Sequence, residues 1–257
     1  MNPLLDLAAH PIIAHRGSSA DAPENTLPAF EAAVQRGADA IELDVRLTAD
    51  GAPGVIHDAA LDRTTDRTGP VSAFTLANLR SVDAGWTFTS DGGRTFPYRD
   101  RDARIPTLGE VLWAFPRMPV LVEIKEPQAQ DAVRRVLLQE GAAARCAVAS
   151  EHREALRMFD EPPFVRGACG AEISVLYWSV LLRRRAPAAS YRFLSVPERH
   201  RGLPVPTRGF LAAARARGCP VHVWTVDSAD TARKLWRRGV AGVVTNVPGM
   251  LAEARER

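Results

Sequence analysis

The chain has 257 residues, 46% hydrophobic and 25% charged, with a formal net charge of +3. That length exceeds an average domain but suits one α/β barrel, and the apolar share supplies a sizeable core. No run of about 18 apolar residues offers a transmembrane helix, so stable membrane insertion is not expected.

The segment Met1–His10 lacks a basic start and a long apolar stretch. It does not read as a signal peptide, and a cytoplasmic location is expected. Cys146, Cys169 and Cys219 are widely spaced and form no CxxC pair, so they are expected buried and reduced. Lys125 and Lys234 are the only lysines; the other cations are arginines. The run Arg183-Arg184-Arg185 has no interleaved aromatics. It reads as a solvated helix end, and no nucleic-acid partner is expected. Nothing in the sequence sets the oligomeric state.

In chain order, a strand is predicted at Ile12–His15, a helix at Leu27–Arg36 and a strand at Ala40–Arg46. After a gap come a helix at Thr107–Phe115, a strand at Val120–Ile124, a helix at Asp131–Gln139 and a strand at Cys146–Ser150. A helix at Arg153–Phe159, a strand at Phe164–Gly167, a helix at Ile173–Leu182 and a strand at Arg192–Val196 follow. The last elements are helices at Arg208–Arg217, Ala229–Arg238 and Met250–Ala254, with strands at Val221–Thr225 and Gly242–Thr245. Gly37, Gly218 and Gly239 fit positions just past helix ends. Eight strands alternating with helices predict a TIM (β/α)8 barrel; without a GxGxxG turn, a doubly wound open sheet is the weaker reading. Residues 48–104 break the rhythm with Asp, Thr, Gly and Pro. They are expected to form an insertion subdomain after the second strand, opened by the turn Thr48-Ala-Asp-Gly51 and a short strand at Gly54–His57. The rest of 1–257 is one domain.

Two short apolar runs carry the chemistry: Ala40-Ile-Glu-Leu-Asp-Val45 and Val120-Leu-Val-Glu-Ile-Lys125. Residues i and i+2 of a strand share a face, so Glu42 pairs with Asp44 and Glu123 with Lys125. Charges in a buried strand must be paired or bind metal. Converging carboxylates suit a hard divalent cation, Mg²⁺ or Ca²⁺, while a structural ion-pair network through Lys125 explains the same residues. His15 and Arg16 follow the first strand, and Trp224 ends the strand beginning at Val221. All these positions fall at C-terminal strand ends, the catalytic face of a barrel. The predicted hairpin returns His57 to that face. Two histidines supply general acid–base chemistry near neutral pH. A divalent ion with Arg16 and Lys125 suits a phosphodiester, whose charge grows in the transition state.

The bland readings differ by residue. His15 has a core or capping role as its alternative. Asn25 is expected to cap the helix starting near Leu27, with Glu24 orienting Arg16 or contacting substrate. Trp224 is either barrel core or a pocket wall. His222 reads as a satisfied core residue, and His10, His152 and His200 as surface residues. Trp86 and Phe88 either cover the mouth or pack within the insertion. Glu198 is a candidate contact for an alcohol group.

Taken in order, Ile13-Ala-His-Arg-Gly17, Pro23-Glu-Asn-Thr26, Ile41-Glu-Leu-Asp-Val45, His57-Asp58, Leu61-Asp-Arg-Thr-Thr65, Ile105-Pro-Thr-Leu108, Val122-Glu-Ile-Lys125 and Val223-Trp-Thr-Val226 span nearly the whole chain. This series resembles the glycerophosphodiester phosphodiesterase family. The resemblance implies a TIM barrel that hydrolyses a small-molecule glycerophosphodiester to sn-glycerol 3-phosphate and an alcohol, with a divalent metal. It implies His15 and His57 as the acid–base pair, Glu42, Asp44 and Glu123 as metal ligands, and Arg16 and Lys125 on phosphate. Three positions depart from the pattern: Gly54 before the His-Asp pair, Glu151 after Ser150, and Asn246 where an Asp is usual. Lysophospholipase D-type chemistry is the alternative, and a non-catalytic binding protein a weaker one. The polar insertion (Asp91-Gly-Gly-Arg-Thr-Phe-Pro-Tyr98) favours small soluble head groups.

Overall fold

The structure, a computed structural model, describes residues 2–188 and 190–256. A single turn at Pro3–Leu5 precedes β1 (Ile12–His15), α1 (Leu27–Gln35), β2 (Ala40–Leu47) and β3 (Pro53–Val55). Then come α2 (Leu76–Leu79), α3 (Leu108–Ala114), β4 (Val120–Ile124), α4 (Gln130–Gln139) and β5 (Cys146–Ala149). The chain continues through α5 (Gly170–Leu181), β6 (Leu194–Pro197), β7 (Arg199–His200), β8 (Leu203–Pro204) and α6 (Arg208–Arg215). It closes with β9 (Val221–Trp224), α7 (Ala229–Arg238), β10 (Gly242–Thr245) and α8 (Pro248–Glu256).

Seven strands run parallel in the order β5-β4-β2-β1-β10-β9-β6. The ring closes through residues 165–168. Val148 N–H donates to Val165 O and Gly167 N–H to Val148 O, both at 2.8 Å. On the other side Ala168 N–H donates to Phe193 O and Arg192 N–H to Arg166 O. The predicted strand at Phe164–Gly167 is thus a stave held by isolated bridges, Val148 to Arg166 and Gly167 to Phe193. The eight staves follow one another in chain order around a TIM barrel. The segment Arg153–Phe159, predicted as an α-helix, forms tighter 3-10 turns.

Alternation along each strand sorts the core into two shells. Outward residues such as Ile41, Leu43, Val45, Val122 and Ile124 pack beneath the helices. Ile12, Val223 and Val243 do the same on the other side. Inward residues Ile13, Ala40, Leu121, Ala147, Phe193 and Val244 fill the lower barrel, and Leu4 plugs its floor. Phe193 needs the space beside Gly167, where a Cβ would lie 2.8 Å from its ring.

Caps end the helices where the sequence dictates. Thr26 is the N-cap of α1, accepting from Ala29 N–H, and Thr107 with Glu110 forms a capping box on α3. Asn25, expected as the cap of α1, instead carries φ 59° and turns inward. Gly239 ends α7 in the left-handed region at φ 102°.

The 48–104 stretch turns at Gly51 and sends β3 back antiparallel to β2, pairing Arg46 with Gly54. A small cluster of Ile56, Leu61, Val71, Leu79, Val82, Ala84 and Ile105 gives this region its own core. Its aromatics pack internally: Arg99 stacks on Trp86 at 4.2 Å and on Phe96 at 4.0 Å, and Phe88 meets Tyr98 edge-on.

The three cysteines are buried and free. His222 lies fully inside the barrel beside Phe193, its Nε2 2.9 Å from Leu4 O and its Nδ1 without a partner. Burial lowers its pKa from 6.5 to about 4. The folded protein therefore binds this proton less readily than the unfolded chain. The stability held by neutral His222 is complete above pH 6.5 and is lost as pH falls toward 4. Denaturant titrations at pH 8 and pH 5 are expected to differ by about 2 kcal/mol from this group alone. His222→Gln, which does not titrate, should lose that component.

Candidate active site

Inward-facing side chains at the upper strand ends converge on one cavity of about 620 Å³. β1 presents His15, β2 Glu42 and Asp44, β4 Glu123, the residue after β4 Lys125, and β9 Trp224. Register sets their neighbours: His15 lies beside Glu42, and Asp44 beside Glu123. His57 arrives from the loop after β3. His15, Arg16, Glu42, His57, Glu123, Lys125 and Trp224 all line the cavity. Asp44 sits just beneath them, 1% exposed.

The β1–α1 loop turns sharply to aim Arg16 across the mouth. Arg16 has φ 56° and Gly17 φ 86°. Arg16 N–H donates to Glu42 Oε2 at 2.9 Å, its Nη1 to Glu24 Oε1 at 2.8 Å, and its Nε lies 3.1 Å from Asp44 Oδ2. Lys125 Nζ reaches Asp44 Oδ1 at 2.9 Å and Glu123 Oε1 at 2.8 Å. Asn25 completes the cradle: its Nδ2 donates to Asp44 Oδ2 at 2.8 Å, and Asp44 N–H donates to Asn25 Oδ1. Asp44 thus has two cations and an amide around it.

Burial opposes ionisation of Asp44, but Lys125 and Arg16 outweigh it and hold its carboxyl below the usual range. Glu42 is the opposite case. Burial, then repulsion from Asp44 and Glu123, push its carboxyl well above the usual range, and the two cations do not compensate. Glu42, Asp44 and Glu123 offer carboxylate oxygens within 4.8 Å of one another. Three carboxylates against two cations, with Glu42 uncompensated, form an oxygen donor set that fits a hard divalent ion.

The histidines have different supports. His15 Nδ1 is 2.8 Å from Asn246 Oδ1. The same Oδ1 accepts from Ser19 Oγ at 2.7 Å, while Asn246 Nδ2 donates to Asp227 at 2.6 Å. These partners fix the amide orientation, so His15 carries its proton on Nδ1 and turns Nε2 outward. Burial, then Arg16, lower the His15 pKa, partly offset by Asn246. His57 Nδ1 is held by Asp58 Oδ1 at 2.5 Å. Arg63 binds the other Asp58 oxygen at 2.6 Å and grips Glu24 at 2.7 and 2.8 Å. Arg63 and then His57 hold the Asp58 carboxyl well below its usual range. One guanidinium therefore couples the His57 loop to the Glu24–Arg16 pair.

Glu24 touches Arg16 and Arg63 and does not line the cavity. Trp224 lies at the rim, 40% exposed. Glu198 is exposed and outside the cavity lining. His152 and His200, expected at the surface, are exposed and also line the cavity, brought there by segments that strand periodicity does not describe. Sequence reasoning missed the supporting roles of Asn25, Asp58, Arg63 and Asn246; the adjacent pair His57-Asp58 was the available signal. It also missed the β7–β8 hairpin, which with Ile173, Tyr177 and Trp178 of α5 gives the cavity an apolar wall. The apolar surface therefore comes from the side of the barrel away from the insertion.

A Cβ at Gly17 would lie 2.6 Å from the Ala29 backbone, in a conformation that disfavours side chains. Gly17→Ala is expected to destabilise the protein by about 2 kcal/mol. Calorimetry should then show Tm lowered by about 4–8 °C.

The glycerophosphoryl diester phosphodiesterase family profile matches residues 15–250. A glycerophosphodiester phosphodiesterase of Caldanaerobacter subterraneus subsp. tengcongensis is 33% identical over 255 residues, covering 93% of this chain and 95% of that protein. A glycerophosphodiester phosphodiesterase of Bacillus altitudinis is 31% identical over 254 residues, with 95% and 98% coverage. Among solved structures, the glycerophosphoryl diester phosphodiesterase domain of a Mycobacterium tuberculosis protein superposes with TM-score 0.84 at 26% identity, covering 96% of this chain and 99% of that one. An Oleispira antarctica phosphodiesterase in complex with its product sn-glycerol-3-phosphate superposes with TM-score 0.77 at 26% identity, covering 96% and 97%. With this profile match over most of its length, these relatives and this barrel, the chain belongs to the glycerophosphoryl diester phosphodiesterase family.

Proposed function

We propose that this protein hydrolyses glycerophosphodiesters, releasing sn-glycerol 3-phosphate and an alcohol, with His15 and His57 as proton carriers. The observation that carries the reading is the convergence of both histidines, Glu42, Glu123, Arg16 and Lys125 on one cavity, with Asp44 clustered just beneath them. The product named in the Oleispira antarctica complex supports it.

Each residue has a task that its surroundings suit. Arg16 and Lys125 are half-buried cations at the cavity wall, placed to offset charge on a phosphodiester. His15 Nε2 has a free lone pair, because Asn246 holds the Nδ1 proton. It accepts the proton of the attacking oxygen, whether a substrate hydroxyl or water. His57, its Nδ1 held by Asp58, presents Nε2–H to the departing alkoxide. The attacking oxygen bonds to phosphorus, the phosphorus–oxygen bond to the alcohol breaks, and the alcohol leaves with that proton; where the attacker is a substrate hydroxyl, water then opens the cyclic phosphate to sn-glycerol 3-phosphate. Glu42, Asp44 and Glu123 would hold the divalent cation, Mg²⁺ or Ca²⁺. When bound, such an ion supplies Lewis-acid polarisation of a phosphoryl oxygen and neutralises developing charge.

The apolar wall of Ile173, Tyr177, Trp178, Leu203 and Val205 favours a second reading, in which a lysophospholipid places its chain there. Glycerol 3-phosphate release from glycerophosphocholine and lysophosphatidate release from lysophosphatidylcholine distinguish the two.

His15→Ala and His57→Ala are each expected to lower kcat/KM for glycerophosphocholine by about 10²–10⁴-fold. A chelator should abolish turnover, and Mg²⁺ or Ca²⁺ restore it. Folded protein that releases no glycerol 3-phosphate with either ion overturns the proposal.

The pH dependence has a defined sign. His15 acts as base only when neutral, and its pKa lies below 6.5. The acidic limb of kcat/KM should therefore fall below pH 6.5. Asn246→Asp puts a carboxylate on Nδ1–H, stabilises the imidazolium and should move that limb up by about one pH unit. An unmoved limb removes His15 from the role of base.

A further inference from the structure

α5 departs from the rule that a surface helix turns charge outward. Its exposed residues include Val175, Trp178 and Leu181, with Leu182 just past its end, the last three 50%, 61% and 57% exposed. Its one acid, Glu172, is turned to the buried guanidinium of Arg166. The exposed stripe therefore carries no charge along the helix. It is continuous with the cavity at Trp178, and Leu203, 50% exposed on the β7–β8 hairpin, extends it across the opening.

Cations flank this stripe. Arg183, Arg184 and Arg185 follow α5 directly, and Arg199 and Arg201 lie on the hairpin, all exposed. None of the five makes an ion pair with a carboxylate among the described residues, and Glu198 is the one acid on the hairpin. An apolar stripe holding Trp and Leu between unpaired arginines is complementary to an anionic bilayer surface. Acyl chains meet the stripe, and the lipid phosphates meet the guanidiniums. A second copy of the chain fits less well, because a self-complementary contact would bring the five arginines against their equivalents. No described helix is long and apolar enough to cross a membrane, so the association is peripheral.

We propose that α5 and the β7–β8 hairpin form a peripheral docking surface for anionic membranes, which places the cavity opening at the lipid–water boundary. The surface stands on exposure and charge, independently of the reaction assigned to the cavity.

The test is co-sedimentation of the whole protein with phosphatidylglycerol-containing vesicles and with pure phosphatidylcholine vesicles. Binding is expected to be at least about tenfold stronger to the anionic vesicles and to weaken with salt. Leu181→Ser/Leu182→Ser and Arg183→Glu/Arg184→Glu/Arg185→Glu should each weaken it by about tenfold or more. Unchanged thermal melting, and turnover of soluble glycerophosphocholine within about twofold of the parent, keep the readout specific to docking. Absence of vesicle binding overturns the proposal, as does binding indifferent to both variants. A concentration-dependent dimer in sedimentation velocity, abolished by Leu181→Ser/Leu182→Ser and without vesicle binding, assigns the surface to a second copy and also overturns it.

Discussion

Everything at the mouth of this barrel depends on the charge around Asp44. A carboxylate 1% exposed is costly unless it is paired and hydrogen-bonded. Arg16, Lys125 and Asn25 supply those partners, and each comes from a different part of the fold. The pairing fixes more than one acid. It draws the β1–α1 loop over the barrel, forces Arg16 and Asn25 into left-handed backbone, and anchors Lys125 at the end of β4. Asp44 is thereby held ionised, although its Oδ1 is ion-paired without a hydrogen bond, while Glu42, in the same strand and on the same face, is left without adequate compensation. That inequality separates a carboxylate held charged by its neighbours from one with residual demand for positive charge. A symmetric ion-pair network would have left no such remainder.

A second constraint is the order of hydrogen-bonded supports behind the two histidines. Asn246, held by Asp227, supports one ring with a neutral carbonyl; Asp58, held by Arg63, supports the other with a carboxylate. The two rings face one cavity with unlike hydrogen-bond partners, a neutral amide for His15 and a carboxylate for His57. Asn246 lies at the centre of this difference.

Much of the architecture was legible because period-2 alternation in buried strands is a strong signal. Ile41, Leu43 and Val45 point outward while Ala40, Glu42 and Asp44 point inward, as the run Ala40–Val45 requires. Strand ends therefore placed His15, Glu42, Asp44, Glu123 and Trp224 around one mouth. What stayed hidden depends on loops. Asn25 looked like a helix cap because it precedes α1, yet Thr26 holds that position and frees Asn25 for Asp44. His152, His200 and the β7–β8 hairpin sit in segments with no periodicity, and their approach to the cavity is a matter of tertiary placement. Arg63 lies 39 residues from the Glu24 it grips, a distance that no local pattern spans.

The barrel is not equally laced around its circumference. β2 and β4 share five register pairs, whereas the stave at 165–168 is joined to each neighbour by an isolated bridge. Local opening concentrates where few backbone bonds must break. The stave leads directly into α5, which forms half of the apolar wall. The carboxylate pole thus sits on the most extensively paired arc of the ring and the apolar pole beside the least. A barrel laced this way ties its carboxylates together through the backbone ladder and leaves its apolar wall tied to the ring by fewer backbone bonds.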